Sequence, residues 1–302
     1  MSSSPTPPST PAAESLVPAA HAEPVAVAIP AAAAEPAAPA AAPASGRPLA
    51  QPVTRPAARP AARPAKFPDG PAPDPAGSRE EHRIRTFHAR RGRVTDAQAG
   101  ALERHWAEWG VELDGSPLDL GKLFGDPGLP IVLEIGFGMG DATARMAADD
   151  PATGILAVDV HTPGQGNLLN LADQYGLTNV RVANGDAIVL LRDMLPPESL
   201  SGLRIYFPDP WPKAKHHKRR MIQPEFLALV APLLRPGATL HCATDWEPYA
   251  EQMLEVLSGS QDFTNQYGDG YAPRPDFRPM TKFERQGLAK DHIVHDLLFT
   301  RR

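Results

Sequence analysis

The chain has 302 residues, among them 36 prolines and one cysteine, with a formal net charge of −5. That length admits two domains, or one domain behind a long tail. A single cysteine excludes an intramolecular disulfide framework, and the acidic total excludes a chain that is basic throughout, so any surface for a polyanion must be local.

Residues 1–78 are mostly Ala, Pro and Ser, as in Ile29-Pro-Ala-Ala-Ala-Ala-Glu35 and Arg55-Pro-Ala-Ala-Arg59-Pro-Ala-Ala-Arg63. They hold too little apolar bulk to offset the entropy of ordering, and repeated proline prevents helix. A disordered Pro/Ala-rich tail is predicted. It lacks the basic start and unbroken apolar stretch of a secretory signal, and proline interrupts it too often for a membrane span. No later segment is apolar for long enough either. With Cys242 the lone cysteine, a cytoplasmic protein is expected, with no membrane partner.

The folded part is expected over residues 79–302. It begins with basic Ile84-Arg-Thr-Phe-His-Ala-Arg-Arg-Gly-Arg93. Thr95 or Asp96 caps a predicted helix to about Trp109, with Ala99, Leu102 and Trp106 on one face. Leu118 to Pro130 reads as a Gly/Pro-rich loop. Short apolar strands follow at Ile131–Ile135, Gly154–Val160, Val180–Asn184, Leu203–Phe207 and Ala238–Cys242. Each precedes a segment of helical pattern: Asp141–Ala148, Gly166–Gln174, Ala187–Met194, Pro224–Leu234 and Glu247–Leu257. Two further strands fit near Phe263–Tyr267 and Ile293–Thr300. This alternation predicts an α/β fold with a mostly parallel sheet covered on both faces.

Ligands of such sheets bind at the carboxyl ends of the strands. The first strand ends Leu133-Glu-Ile-Gly136-Phe-Gly138-Met-Gly140-Asp141. Gly136 and Gly138 let the backbone turn tightly beside a ligand. The third glycine comes one residue earlier than in a dinucleotide fingerprint, and Glu134 would repel a pyrophosphate. A donor carrying an ammonium and a sulfonium, S-adenosylmethionine, suits that carboxylate. Asp159, ending the second strand, can accept both ribose hydroxyls, and Asp186, after the third, can receive the adenine amino group. All three also fit as caps at strand–helix junctions.

The fourth strand runs into Tyr206-Phe-Pro-Asp209-Pro-Trp211-Pro-Lys213. Flanking prolines hold Asp209 extended beside the expected methyl donor. Trp211 suits stacking on a base, or a place in the core. Lys213-Ala-Lys215-His216-His217-Lys218-Arg219-Arg220 carries no acid and suits phosphates. Asp245, after the fifth strand, reads as a residue on the substrate side, as the N-cap of the next helix, or as both.

These motifs, in this order, resemble the bacterial tRNA (guanine-N(7)-)-methyltransferases over about Arg83–Arg302. The resemblance is carried by Leu133–Gly140, His161–Gly164, Phe207–Lys213, Lys218–Phe226, Ala243–Glu247 and Thr281–Glu284. It implies a Rossmann-like class I methyltransferase with a seven-stranded sheet whose last strand is antiparallel. It implies S-adenosylmethionine at Glu134, Gly136, Gly138, Asp159, Asp186 and Asp209, with Asp209 catalytic. Lys213, Asp245, Thr281, Lys282, Phe283 and Glu284 become guanine-side residues, and Lys215, His216, His217, Lys218, Arg219 and Arg220 the RNA contact. The implied reaction methylates N7 of guanosine 46 in the tRNA variable loop, by a monomer or homodimer and with no metal. The alternative is a methyltransferase acting on another RNA, a protein or an amine. Asp159 stands where the family commonly has Glu, Ala214 where Lys is frequent, and Gln165 where a small apolar residue is usual.

Overall fold

The computed structural model describes residues 86–87, 92–281, 284–285 and 292–302. The Pro/Ala-rich tail, with the domain boundary expected near residue 78, lies outside the described residues.

Helix α1 (Asp96–Trp109) opens on a reciprocal cap: Gln98 N–H donates to Thr95 Oγ1 at 3.4 Å and Thr95 N–H to Gln98 Oε1 at 2.9 Å. Its inward face is Gln98, Ala101 and Leu102, whereas Ala99 is exposed. Close approach to α4 (Thr162–Tyr175) sets that face: a Cβ on Gly166 would lie 2.7 Å from the Gln98 carbonyl oxygen. The strand β1 (Gly110–Glu112) was not expected, since three residues carry no periodic signal. Nor was α2 (Leu120–Phe124), one short helix inside the expected loop, capped by Asp119 and stopped by left-handed Gly125.

The regular part follows: β2 (Ile131–Ile135), α3 (Asp141–Asp149), β3 (Gly154–Asp159), α4, β4 (Val180–Asn184), α5 (Ala187–Val189), β5 (Leu200–Tyr206), α6 (Pro224–Val230), β6 (Leu234–Thr244), α7 (Glu247–Ser258), β7 (Phe263–Asn265) and β8 (His295–Arg301). α4 begins four residues earlier than expected, because Pro163 is tolerated in a first turn. α5 widens into a π-turn over Leu190–Met194. α6 stops short of Leu234, tightening to a 3-10 turn at Ala231–Leu233 where Pro232 lacks an N–H.

The sheet has eight strands in the order β1-β4-β3-β2-β5-β6-β8-β7, one more than the seven expected, the addition being edge strand β1. β1 to β6 are mutually parallel, and β8 runs antiparallel to both β6 and β7. The class I methyltransferase arrangement with a reversed final strand is therefore present. Helices α1, α3 and α4 bury one face through Leu102, Ala147, Leu168 and Leu169. α6 and α7 bury the other through Phe226, Tyr249, Met253 and Leu257. β3 and β5 leave β2 in opposite directions, so a crevice opens above the carboxyl end of β2.

Candidate active site

The first turn of the crevice is Gly136-Phe-Gly138-Met-Gly140. Gly136 and Gly138 have φ of +78° and +61°, and a Cβ on either would meet no atom within 4 Å. Their backbone conformation, and not crowding, selects glycine, and the space before them is open. Gly164 is different: a Cβ there would fall 1.7 Å from the Gly138 carbonyl oxygen, so the start of α4 sits directly on the turn.

Glu134 is only 3% exposed, and its Oε2 meets no partner at full hydrogen-bond geometry among the described residues, the Thr143 hydroxyl being close enough only to favour the ionised form. Burial pushes its pKa up to about 7, against the pull of the charge on Arg204, its register neighbour on β5. A buried carboxyl left half-satisfied is costly unless a ligand completes it. Asp159 does not merely end its strand. Its Oδ2 accepts from Gly138 N–H at 2.9 Å and its Oδ1 from His161 N–H at 3.0 Å, so it ties the glycine turn to α4. Burial raises its pKa, and those two amides oppose the rise. Asp186 caps α5, accepting from Ile188 N–H at 3.0 Å.

Gln165, unusual against the family pattern, is buried and bridges two strand ends. Its amide donates to the Asp159 carbonyl and to Asn184 Oδ1, both at 2.8 Å. Composition carries no signal for that bridge, since it joins residues 19 apart.

The Phe207–Trp211 loop is bounded by two aromatic residues in the left-handed region, Phe207 at φ +51° and Trp211 at φ +45°. Each such residue costs on the order of 1–3 kcal/mol and persists only where its surroundings hold it. Phe207 N–H donates to the Ala243 carbonyl at 2.7 Å, and Arg220 Nε to the Pro210 carbonyl at 2.9 Å. Asp209, partly buried, sits between these two turns.

Trp211 belongs to the protein interior, not to a base-stacking platform. It is 3% exposed, its Nε1 donates to the Thr86 carbonyl at 3.1 Å, and the Arg219 guanidinium lies 4.5 Å above its ring. Arg220 likewise leaves the expected RNA contact. It is 2% exposed, lies 4.8 Å from the Tyr249 ring, and donates to the Pro210 and Pro248 carbonyls and to Gln252. The reason is local: a 3-10 helix over Ala214–Arg219 turns Arg220 inward while leaving Lys213, Lys215 and Lys218 exposed. His216, His217 and Arg219 are partly buried.

Asp245 is not the cap of α7. Trp246 holds that position, and Thr244 Oγ1 accepts from Trp246 N–H at 3.2 Å. Asp245 Oδ2 instead lies 3.3 Å from His292 Nδ1. Thr281 and Glu284 form a reciprocal turn, with Glu284 N–H donating to Thr281 Oγ1 at 3.0 Å. Lys282 and Phe283 lie outside the described residues.

Glu284 is 3% exposed, and both its oxygens are taken by Arg278, at 2.7 and 3.0 Å. Arg278 also grips Asp296 of β8 at 2.9 and 2.8 Å. His241 lies 2.7 Å from Asp296 through Nε2 and 2.9 Å from the Tyr206 hydroxyl through Nδ1. Burial opposes the Asp296 charge, but hydrogen bonds from His241 and Arg278 outweigh it and hold the pKa low. Burial lowers the His241 pKa. A neutral ring therefore donates from Nε2 to the carboxylate and accepts from Tyr206 at Nδ1. Sequence reasoning missed Arg278, His241 and Asp296. The available signal was a histidine and an aspartate inside apolar strand runs, since a buried polar group demands partners.

A family model described as "Putative methyltransferase" matches residues 129–297. A Streptomyces avermitilis protein named tRNA (guanine-N(7)-)-methyltransferase is 72% identical over 237 residues, covering 78% of this chain and 81% of its own. A Bordetella pertussis protein of the same name is 50% identical over 230 residues, covering 76% of this chain and 89% of its own. No helix among the described residues is long and apolar enough to cross a membrane.

Proposed function

The chain belongs to the tRNA (guanine-N(7)-)-methyltransferase family, and on that premise we propose that it methylates N7 of guanosine 46 in the tRNA variable loop, with S-adenosylmethionine as donor. The observation that carries this reading is Glu134: a buried carboxyl with one oxygen short of a full hydrogen bond, next to an open glycine turn. A cationic ligand satisfies that oxygen, whereas a pyrophosphate would be repelled by it. The residues present fit the donor. Glu134 and the amides of the Gly136–Gly140 turn would flank it, Asp159 and Asp186 stand at the next two strand ends for its ribose and adenine, and Asp209 lies in the loop that follows β5. S-adenosylmethionine supplies, when bound, an electrophilic methyl group.

Guanine N7 already carries an in-plane lone pair, so this chain need not supply a general base. What it must supply is orientation, holding N7 in line with the methyl group, and orientation alone can account for several kcal/mol of the barrier. Positive charge moves onto the guanine as N7 is alkylated. The carboxylates of Asp209 and Asp245 offset that charge or hold the guanine N1–H and amino edge. Thr281 and Lys213 stand on the guanine side, and Glu284, whose carboxylate is held by Arg278, supports the turn at Thr281 instead of meeting the base. Exposed Lys213, Lys215 and Lys218, with His216, His217 and Arg219 beside them, meet the RNA backbone, which positions the substrate without reading its sequence. The buried Cys242, whose pKa burial pushes up to about 12, is an unreactive thiol that suits a reducing cytoplasm.

The test is to treat unmodified total tRNA and cell protein separately with the purified chain and labelled donor, then to map the labelled nucleotide. Label confined to N7 of guanosine 46 is the expected result. Label in protein, in an amine or in another RNA nucleotide overturns the reading.

A further inference from the structure

The guanidinium of Arg278 takes no direct part in the proposed methyl transfer, yet it is fully buried, on a segment outside any helix or strand. Three parts of the fold converge on it. Asp296 anchors it to β8 through two hydrogen bonds, and Glu284 receives two more from its other edge. The rings of Tyr206 and Phe207 lie 5.9 and 5.8 Å away. Burial works against its charge, yet the hydrogen bonds to Glu284 and Asp296 more than offset this and hold its pKa high.

Stability is a weak reason for such a cluster. A buried ion pair replaced by packed apolar groups of similar volume is often neutral or even stabilising. What only a guanidinium supplies is geometry, a rigid planar fork that fixes two carboxylates at set angles. With Asp296 as the anchor, the contacts to Glu284 and to the Phe207 ring lead to the proposed reaction. Glu284 closes the turn that begins at Thr281, and left-handed Phe207 stands two residues before Asp209.

We propose that Arg278 is a positioning residue for methyl transfer: one guanidinium locks the Thr281–Glu284 turn and the Phe207–Asp209 loop to β8, and so sets both sides of the docked guanine. The inference rests on the proposed reaction for its meaning, but its structural half is measurable without RNA. Glu284 acts mainly through Arg278, since both of its oxygens are engaged there.

The test is Arg278→Lys, which keeps the charge and loses the fork. Hydrogen exchange at the Glu284 and Arg285 amides reads the turn without substrate, because these donate to Thr281 Oγ1 and to the Thr281 carbonyl. Exchange there should quicken about tenfold, and the single-turnover methylation rate should fall by about a hundredfold, as a 1 Å misplacement can cause. Affinities for donor and tRNA should stay within about threefold, since neither ligand is gripped by Arg278. Asp296→Asn, which keeps shape and one acceptor, should move the same quantities less, and it serves if Arg278→Lys does not fold. Unchanged exchange, an unchanged rate, or a donor affinity that collapses together with the rate overturns the proposal. Wild-type protein that leaves tRNA guanine unmethylated sinks the reaction, while the exchange result still decides the role of Arg278 in the turn.

Discussion

The carboxyl edge of the sheet has two halves that solve the same problem differently. On the β2–β4 side, each strand end carries its own acid within a residue or two, and backbone amides complete the geometry: Asp159 takes Gly138 and His161, and Asp186 takes Ile188. On the β5–β8 side, the working residues are fixed from behind by bonds from side chain to side chain: Tyr206 with His241, His241 with Asp296, and Arg278 with both Asp296 and Glu284. The first half rests on carboxylates that accept from backbone amides, so replacing a neighbouring side chain leaves those bonds in place. The second is a network, in which losing one member leaves others buried and unpaired.

The sharpest probe of that contrast is Asp209→Ala on the network side. Methyl transfer should fall roughly 10²–10³-fold with tRNA binding nearly intact, as for loss of one group that acts only on developing charge. A rate equal to wild type would remove Asp209 from the reaction. Next in size is Arg220→Ala. It strands the Pro210 and Pro248 carbonyls and the Gln252 amide oxygen, and should cost about 3 kcal/mol in denaturant unfolding. Lys215→Ala and Lys218→Ala should instead leave unfolding unchanged and lower the salt slope of tRNA binding by about one each. Equal effects from all three would restore Arg220 to the RNA surface.

On the β2–β4 side, Glu134→Gln tests the buried carboxyl through pH. The folded pKa is raised, from 4.5 to about 7, so stability is greatest below 4.5 and is lost as pH climbs through about 7. The glutamine variant should not show that decline, and above pH 7 it should be more stable by up to about 3 kcal/mol. A cationic donor favours the ionised form, so donor affinity in the wild type should rise between pH 6 and 8 and stay flat in the variant. Parallel profiles for the two proteins would mean that Glu134 does not meet the donor's charge. Smallest is Trp211→Phe, which loses the hydrogen bond to Thr86 and should cost about 1 kcal/mol, with no change in tRNA affinity. A fall in tRNA affinity would return the indole to the substrate.

Legibility divided along the same line. Strands β2 and β4 fall where apolar runs bounded by Gly, Pro and Asn put them, and Thr95 announces the start of α1 through its capping box. The edge strand β1 and the helix α2 escaped notice because three and five residues are too short for a periodic pattern. Trp211 and Arg220 carried the composition of a nucleic-acid surface, and composition does not say which way a 3-10 turn points them.

The sequence alone determined the layered α/β architecture, the glycine turn after β2 and the row of acids at successive strand ends. These depend on residue types repeated at fixed spacing, which the periods of strand and helix convert directly into position. The tertiary structure alone decided which charges are buried. It joined Arg278 and Glu284, both outside any strand, to Asp296 on β8, turned Trp211 and Arg220 inward, and paired Asp245 with His292. Burial and pairing are properties of the packed whole: a guanidinium is a phosphate ligand or a structural rivet according to what surrounds it, and its neighbours in sequence do not specify that.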